Sequence, residues 1–510
     1  MAKKPKYYDS KKSDSIRSML RASERLFGAR TAFLQKSNGT YCPTTYSEYR
    51  DMIEALGTEL YARGYAGSRI IVMGDNSIEW TTVYMATVCG LGVIVPVDKE
   101  IPAEELKNIV ALSEAKAIFF SSRLSDKVSE LDIDKFTLEE IDDLISSGSA
   151  RLASGERNYL RIPIDPDAMA ILLFTSGTTG VSKGVMLSNR NVCYTLSEIA
   201  HMVKATCDDR VLSVLPLHHV YEATCGFLFV LSIGGSIAFS EGLRYITRNI
   251  QEVKPTAVFC VPILVETIYN KIWANIKRKG IEKKVRTAIK LTGNNMALKK
   301  KVFAEIHDSL GGELRLIISG GAAADPAVIK GMRDLGLFTI QGYGLTECAP
   351  IAAMNKDDFF RDDAAGLPTP HSVLDIYDVQ NDGTGEIRFK GDNVMLGYYN
   401  APELTAEVIR DGWLYTGDLG YIDDDGFLHI TGRKKNVIVT AGGKNIFPEE
   451  LEYHLSTNPL VGESLVLEDK NKKIIYTGPI FNNAYENTMK DYSTLRESDI
   501  EKSLINKQRS

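Results

Sequence analysis

Two common phosphate-binding signatures are missing from this chain: no GxGxxG occurs, and no Gly stands four residues before a Gly-Lys pair. Their absence excludes a Rossmann dinucleotide fingerprint and a Walker-type loop. The seven cysteines are scattered and show no CxxC spacing, which reads as reduced packing thiols in the cytoplasm. The seven histidines show no ligand spacing either, so no structural zinc is expected. A basic excess is also lacking: the formal net charge is −6, which argues against a nucleic-acid partner. The basic N-terminus has no apolar segment behind it and is not read as a secretory signal. Trp80–Val97 is an uncharged run of 18 residues, but three Thr, Gly90, Gly92 and Pro96 break it. A helix followed by a short strand is expected there, not a membrane span.

What is present is an ordinary globular composition, 44% hydrophobic and 25% charged, in a chain long enough for two or more domains. From about residue 45 to 345, short β-rich runs alternate with helical patterns; the runs are 69–73, 93–97, 115–121, 168–174, 256–261 and 314–319. This alternation predicts an α/β fold with parallel βαβ layers, whose ligands sit beyond the carboxyl ends of the strands. Residues 383–431 change to Gly- and Asp-punctuated strands typical of antiparallel structure. A small α+β unit follows. The expected domains are 1–432 and 433–510.

Residues 271–301 hold eleven Lys or Arg and one acid, Glu282. Ile268, Ile272 and Ile276, then Ile281, Val285 and Ile289, recur at helical spacing. Two amphipathic helices with solvated basic faces are expected. A patch for anionic membrane lipid or for CoA phosphates is the other reading.

The most informative stretch is Thr175-Ser176-Gly177-Thr178-Thr179-Gly180-Val181-Ser182-Lys183-Gly184, directly after an apolar strand. Backbone N–H groups, hydroxyls and one cation make a polyphosphate cradle. Further on stand Leu215-Pro-Leu-His-His219, Ser319-Gly320-Gly321-Ala322, Gln341-Gly342-Tyr343-Gly344-Leu-Thr346-Glu347, Tyr415-Thr-Gly-Asp418, and Gly432-Arg433 through Lys435 to Ala441-Gly442-Gly443. This ordered set resembles the adenylate-forming acyl-CoA synthetases over about residues 15–470. The resemblance implies a large N-terminal domain of parallel-rich βαβ subdomains plus an antiparallel β subdomain, followed by a small mobile domain.

The family activates a carboxylic acid by joining it to AMP and then passes the acyl group to CoA. By resemblance, Thr175–Gly180 and Lys183 hold the β- and γ-phosphates of ATP. Gly320, Gly321 and Ala322 run beside adenine and the acyl pocket; Gly342 and Gly344 belong to the ATP/AMP site, where Tyr343 stacks on adenine, Thr346 bonds the α-phosphate and Glu347 holds Mg²⁺. Asp418 and Arg433 clamp the ribose. His219 packs against the reacting carboxyl group or gates the thiol, with a neutral histidine satisfied by backbone as the plainer reading. Lys435 is the hinge, and Ala441, Gly442 and Gly443 line a pantetheine channel for CoA.

A fatty acid of medium or long chain is the expected substrate, from the similarity of His218–Glu222 and Val261–Tyr269 to long-chain members. The apolar segment Gly226–Ile237 is the expected tunnel wall. An aryl- or short-acid CoA ligase, an enzyme loading a carrier protein and a nucleotide-binding relic stay open as alternatives. The resemblance departs at two places. Ser182 replaces the usual Pro, and no Gly-Lys loop of the family type follows Pro479. The second departure leaves three readings open, a truncated natural protein, an incomplete sequence or loss of the lysine, and with them the question of adenylation. Peripheral membrane contact stays open beside a cytoplasmic location.

Overall fold

The structure is a computed structural model that describes residues 5–175, 183–439, 445–446, 448, 451–452, 455, 461–468 and 474–481. Two compact units divide the chain: Met1–Asp375 with Arg388–Thr416 and Ile422–His429, and Ile376–Ile387 with Gly417–Tyr421 and Ile430–Ser510.

Two large sheets fill the first unit. One has seven strands in the order Gly397–Tyr398, Lys183–Ser188, Met169–Thr175, Gly92–Pro96, Ser68–Met73, Ala117–Phe120 and Asp134–Thr137. Its last five strands pair in parallel and its first three antiparallel. The nine-stranded sheet runs Leu367–Pro368, Ile351–Met354, Thr339–Gly344, Leu316–Ser319, Ala257–Cys260, Arg210–Ser213, Ser236–Phe239, Thr31–Ser37 and Thr40–Thr45. Its middle is parallel and both edges are antiparallel. Strands covered on both faces must be apolar throughout. Accordingly Ala117–Phe120, Ala257–Cys260 and Leu316–Ser319 are buried at every position.

Helices seal the sheets through their apolar faces. Leu106 and Ile109 of Ala103–Ser113 pack on Ile71, Val95, Ile118 and Leu172. Ile246, Ile250 and Val253 of Ile246–Val253 pack on Leu212, Val258 and Ile317. Burying one such side chain fully stabilises by about 1.5–3 kcal/mol. The helix ends follow the sequence: Thr45 and Glu48 form a capping box at Tyr46–Ala62, as do Ser188 and Asn191 at Asn189–Met202.

The uncharged run folds as expected, with helix Ile78–Ala86, a wide turn Thr87–Leu91 and strand Gly92–Pro96. Thr81 and Thr82 donate to the Ile78 carbonyl and Thr87 to that of Val83, so their hydroxyls are satisfied inside the core. Gly90 at φ 140° breaks the helix. Among the described residues no helix is long and apolar enough to cross a membrane.

The basic stretch departs from expectation. It forms three helices, the end of Pro262–Arg278, then Glu282–Thr292 and Met296–Val302. Gly280 and Gly293, at φ 66° and 50°, stop the first two, and the third is too short to show a period. A five-stranded sheet follows, in the order Val373–Tyr377, Gly385–Lys390, Trp413–Ile422 and Ile409–Arg410, with Leu428–Arg433 on Trp413–Ile422. In the second unit Ile438–Val439 pairs antiparallel with Asn445–Ile446, and Val461–Glu468 with Ile474–Phe481.

Candidate active site

Thr175 and Lys183 face each other across an antiparallel pair, Met169–Thr175 with Lys183–Ser188. The segment 176–182 therefore joins two antiparallel strands, where the alternation predicted parallel βαβ units. By composition the segment 176–182 offers amides and hydroxyls for phosphate attraction, and Lys183 adds a cation. Ser176, Gly177, Thr178, Thr179 and Gly180 lie outside the described residues.

The hairpin carries a third strand, Gly397–Tyr398, in which Tyr398 registers with Val185. The Lys183 ammonium lies 5.2 Å from the centre of the Tyr398 ring. The Tyr398 hydroxyl donates to Glu347 Oε1 at 2.8 Å, and the Met395 N–H to the Glu347 carbonyl at 2.8 Å. Burial, then the Glu347 carboxylate, pushes the Tyr398 phenol far above its ordinary range, so it remains a donor. One tyrosine thus joins the two strongest sequence motifs. Sequence reasoning gave Tyr398 no role; the only signal was its place beside Tyr399 after a glycine.

Thr339–Gly344 delivers Gly342, Tyr343 and Gly344, and a single turn, Thr346–Cys348, delivers Thr346 and Glu347. At Gly344 an added Cβ would stand 1.7 Å from the Pro350 carbonyl oxygen, so only glycine fits. Asn393 Nδ2 donates to the Cys348 and Ile351 carbonyls at 2.8 and 2.7 Å, clamping the turn. Gln341 Nε2 donates to the Asp362 and Ala364 carbonyls, while its Oε1 accepts from the Ala324 N–H at 3.2 Å. That bond anchors the loop of Gly320, Gly321 and Ala322 beside the strand.

The same loop meets the histidine motif. Tyr221 Oη donates to the Ile318 carbonyl at 3.0 Å, and its ring would lie 2.9 Å from a Cβ on Gly320. The rings of His218 and His219 are 4.1 Å apart between centroids. Burial, reinforced by His219, pushes His218 down to about 4, and burial also lowers His219. Both are neutral at physiological pH. Nearby, burial pushes the Glu222 carboxyl up to about 8, although Ser213 Oγ donates to it at 2.5 Å. Asn76 donates to both Ser213 Oγ and the Leu215 carbonyl.

A cavity of about 1640 Å³ reaches this cluster through Leu215, Pro216 and Val261. It runs along Pro262–Arg278 and Glu282–Thr292, lined by Leu264, Ile268 and Ile272, with Lys271, Lys279 and Lys284 among its other walls. No residue of Gly226–Ile237, the expected tunnel wall, lines this cavity, and Glu222–Phe229 is buried at every position. Phe227 instead packs with Phe33 and Tyr84.

In the second unit Asp418, 6% exposed, lies 3.0 Å from Arg433 Nε. Lys434 Nζ donates to Glu386 Oε2 at 2.8 Å and its N–H to the Gly417 carbonyl. Lys435 is exposed in the turn that follows Arg433. Ala441, Gly442 and Gly443 lie outside the described residues.

The Thr175–Lys183 strand pair and the Thr346–Glu347 turn lie in the first unit and the Asp418–Arg433 pair in the second, so each nucleotide motif has its residues placed within its own unit. Residues 20–399 match the AMP-binding enzyme family, and the chain belongs to it. It is 29% identical over 489 residues to the long-chain-fatty-acid–CoA ligase FadD15 of Mycobacterium bovis, covering 89% of this chain and 80% of that one. It is 30% identical over 488 residues to long-chain-fatty-acid–CoA ligase 1 of Cavia porcellus, covering 84% and 69%. Among solved structures, O-succinylbenzoate coenzyme A synthetase (MenE) from Bacillus subtilis, in complex with ATP and magnesium, aligns at TM-score 0.73 and 23% identity, covering 90% and 88%. A Mycobacterium tuberculosis fatty acyl CoA synthetase aligns at 0.69 and 23%, covering 91% and 87%. These structures share the fold.

Proposed function

We propose that this enzyme converts a medium- or long-chain fatty acid to its CoA thioester, with ATP cleaved to AMP and pyrophosphate. The observation that carries the acyl part of this reading is the cavity of about 1640 Å³ whose lining includes Leu215, Pro216 and Val261. Ligand pockets commonly occupy about 300–1,000 Å³, so the space exceeds what a compact acid needs. Both named relatives are long-chain-fatty-acid–CoA ligases, which supports the same choice.

In the first step a carboxylate oxygen attacks the α-phosphorus of ATP, a P–O bond forms and pyrophosphate leaves with its electron pair. Two anions must meet, so neutralisation and positioning carry the catalysis. In our reading Lys183 and the loop 175–180 hold the β- and γ-phosphates, Tyr343 stacks on adenine and Thr346 bonds the α-phosphate. Gly320, Gly321, Ala322, Gly342 and Gly344 let the nucleotide approach backbone. Asp418 and Arg433 take the ribose. Glu347 suits Mg²⁺: one carboxylate oxygen is committed to Tyr398, and among the described residues no Lys or Arg forms a salt bridge with the other. When bound, that ion supplies charge neutralisation on the phosphates.

In the second step the CoA thiol sulfur attacks the acyl carbon, a C–S bond forms and AMP departs. Neutral His219 stands near the thiol's entry, Lys435 serves as hinge, and Ala441–Gly443 line the pantetheine path. The basic residues of 271–301 lie on the helices that wall the acyl cavity. Their charge suits the anionic surface of a membrane, from which a fatty acid would enter.

The test is pyrophosphate release across acids of 2 to about 20 carbons, with and without CoA. Activity rising with chain length, and thioester formed only with CoA, supports the reading. A preference for aryl or short acids, or adenylate formation indifferent to CoA, overturns it.

A further inference from the structure

The fold brings together a cluster that no nucleotide motif uses. Glu198 and His201 lie one turn apart on Asn189–Met202, so both project from one face. His371 joins them from a turn that Ser372 closes by donating its N–H to the Thr369 carbonyl. The donor atoms of Glu198, His201 and His371 all lie within 4.8 Å of one another. Expectation missed the cluster because it searched for histidine spacing along the chain, and 170 residues separate His201 from His371.

The hydrogen bonds already orient these side chains as ligands. His201 Nδ1 stands 2.5 Å from the Tyr8 carbonyl oxygen, an acceptor only, so that nitrogen carries the proton and Nε2 keeps a lone pair. Glu198 Oε2 accepts the His371 backbone N–H at 2.9 Å, and Oε1 lies 2.7 Å from His371 Nδ1. Glu198 is 1% exposed, and among the described residues its only ion-pair partner is His371. Burying a charged carboxylate is costly unless it is paired or coordinates a metal.

We propose that Glu198, His201 and His371 form a site for a divalent transition ion of the zinc class. Two imidazoles and one carboxylate are donors such ions take, leaving a fourth position for water. Donors around tetrahedral zinc stand about 3.3 Å apart, which the cluster reaches by a small pivot of the half-exposed His371 ring. The Glu198–His371 hydrogen bond is the metal-free arrangement of the same residues. The ion would staple Asn189–Met202 to the 369–372 turn, and through His201 to the N-terminal segment at Tyr8. It is separate from the Mg²⁺ assigned to Glu347.

The experiment titrates the metal-stripped full-length protein with Zn²⁺ in competition with a fluorescent zinc chelator. One strong site per chain is expected, weakened about tenfold or more in His371→Ala and in Glu198→Gln. His371→Ala removes an exposed ring and is checked for native circular dichroism; Glu198→Gln keeps the shape of the buried side chain. No uptake by the unmodified protein, or equal affinity in the unmodified protein and folded His371→Ala, overturns the proposal.

Discussion

The hydroxyl of Tyr398 donates to Glu347 Oε1 at 2.8 Å, so the carboxylate assigned to the metal is held by the residue whose ring faces Lys183. Tyr398→Phe keeps the ring and deletes this bond. A hydrogen bond to a charged group is worth roughly 1.5–3 kcal/mol, which corresponds to about 10- to 100-fold in kcat/KM for MgATP. Pyrophosphate release over a magnesium titration should show a raised magnesium requirement. An unchanged requirement would mean that Glu347 is positioned by its backbone alone.

Glu222 gives a pH signature in stability. Its carboxyl is raised from an ordinary 4.5 to about 8 by burial, so between those values the folded state holds a proton that the unfolded chain has released. Stability from this group is complete below about 4.5 and declines as pH rises towards about 8. The slope is on the order of 1 kcal/mol per pH unit. Glu222→Gln should flatten it, measured by urea unfolding at intervals across that window. Parallel curves for the two proteins would place the ionised form inside the core.

Leu264 lines the large cavity. Leu264→Trp should shorten the preferred acid, lowering kcat/KM for long chains about tenfold or more while short chains keep theirs. An even loss over all chain lengths would show that the acyl chain lies elsewhere.

Asp418→Ala should raise KM for ATP at least tenfold, because it removes charge-assisted bonds to ribose of roughly 1.5–3 kcal/mol each. The unmodified enzyme should use 2′-deoxy-ATP correspondingly poorly. Equal use of the two nucleotides would leave Asp418 as the buried partner of Arg433 and nothing more.

Much of the parallel core was legible. Runs such as 69–73 and 168–174 match strands Ser68–Met73 and Met169–Thr175, because strands covered on both faces carry no alternation to misread. Segment Gly226–Ile237 shows a related ambiguity: its apolar character is the same in core as in a tunnel wall, none of it lines the large cavity, and Phe227 packs on Phe33. Tyr398 was invisible because its meaning comes from a long-range strand pairing with Lys183–Ser188. Thr346 and Glu347 were nominated by motif, whereas the brace on Glu347 belongs to tertiary structure.

The hairpin that bears the cradle also limits how this region can change. Side chains alternate faces along Lys183–Ser188, which buries Val185 and Leu187 in the sheet core. A residue added between Thr175 and Lys183 leaves the pairing intact only if it stays outside the two strands. Passed on to the second strand, the same insertion slips the register by one, turns Val185 and Leu187 outward and carries Lys183 away from Thr175. The lysine thereby keeps its post through strand register, a constraint that acts on folding before it acts on catalysis.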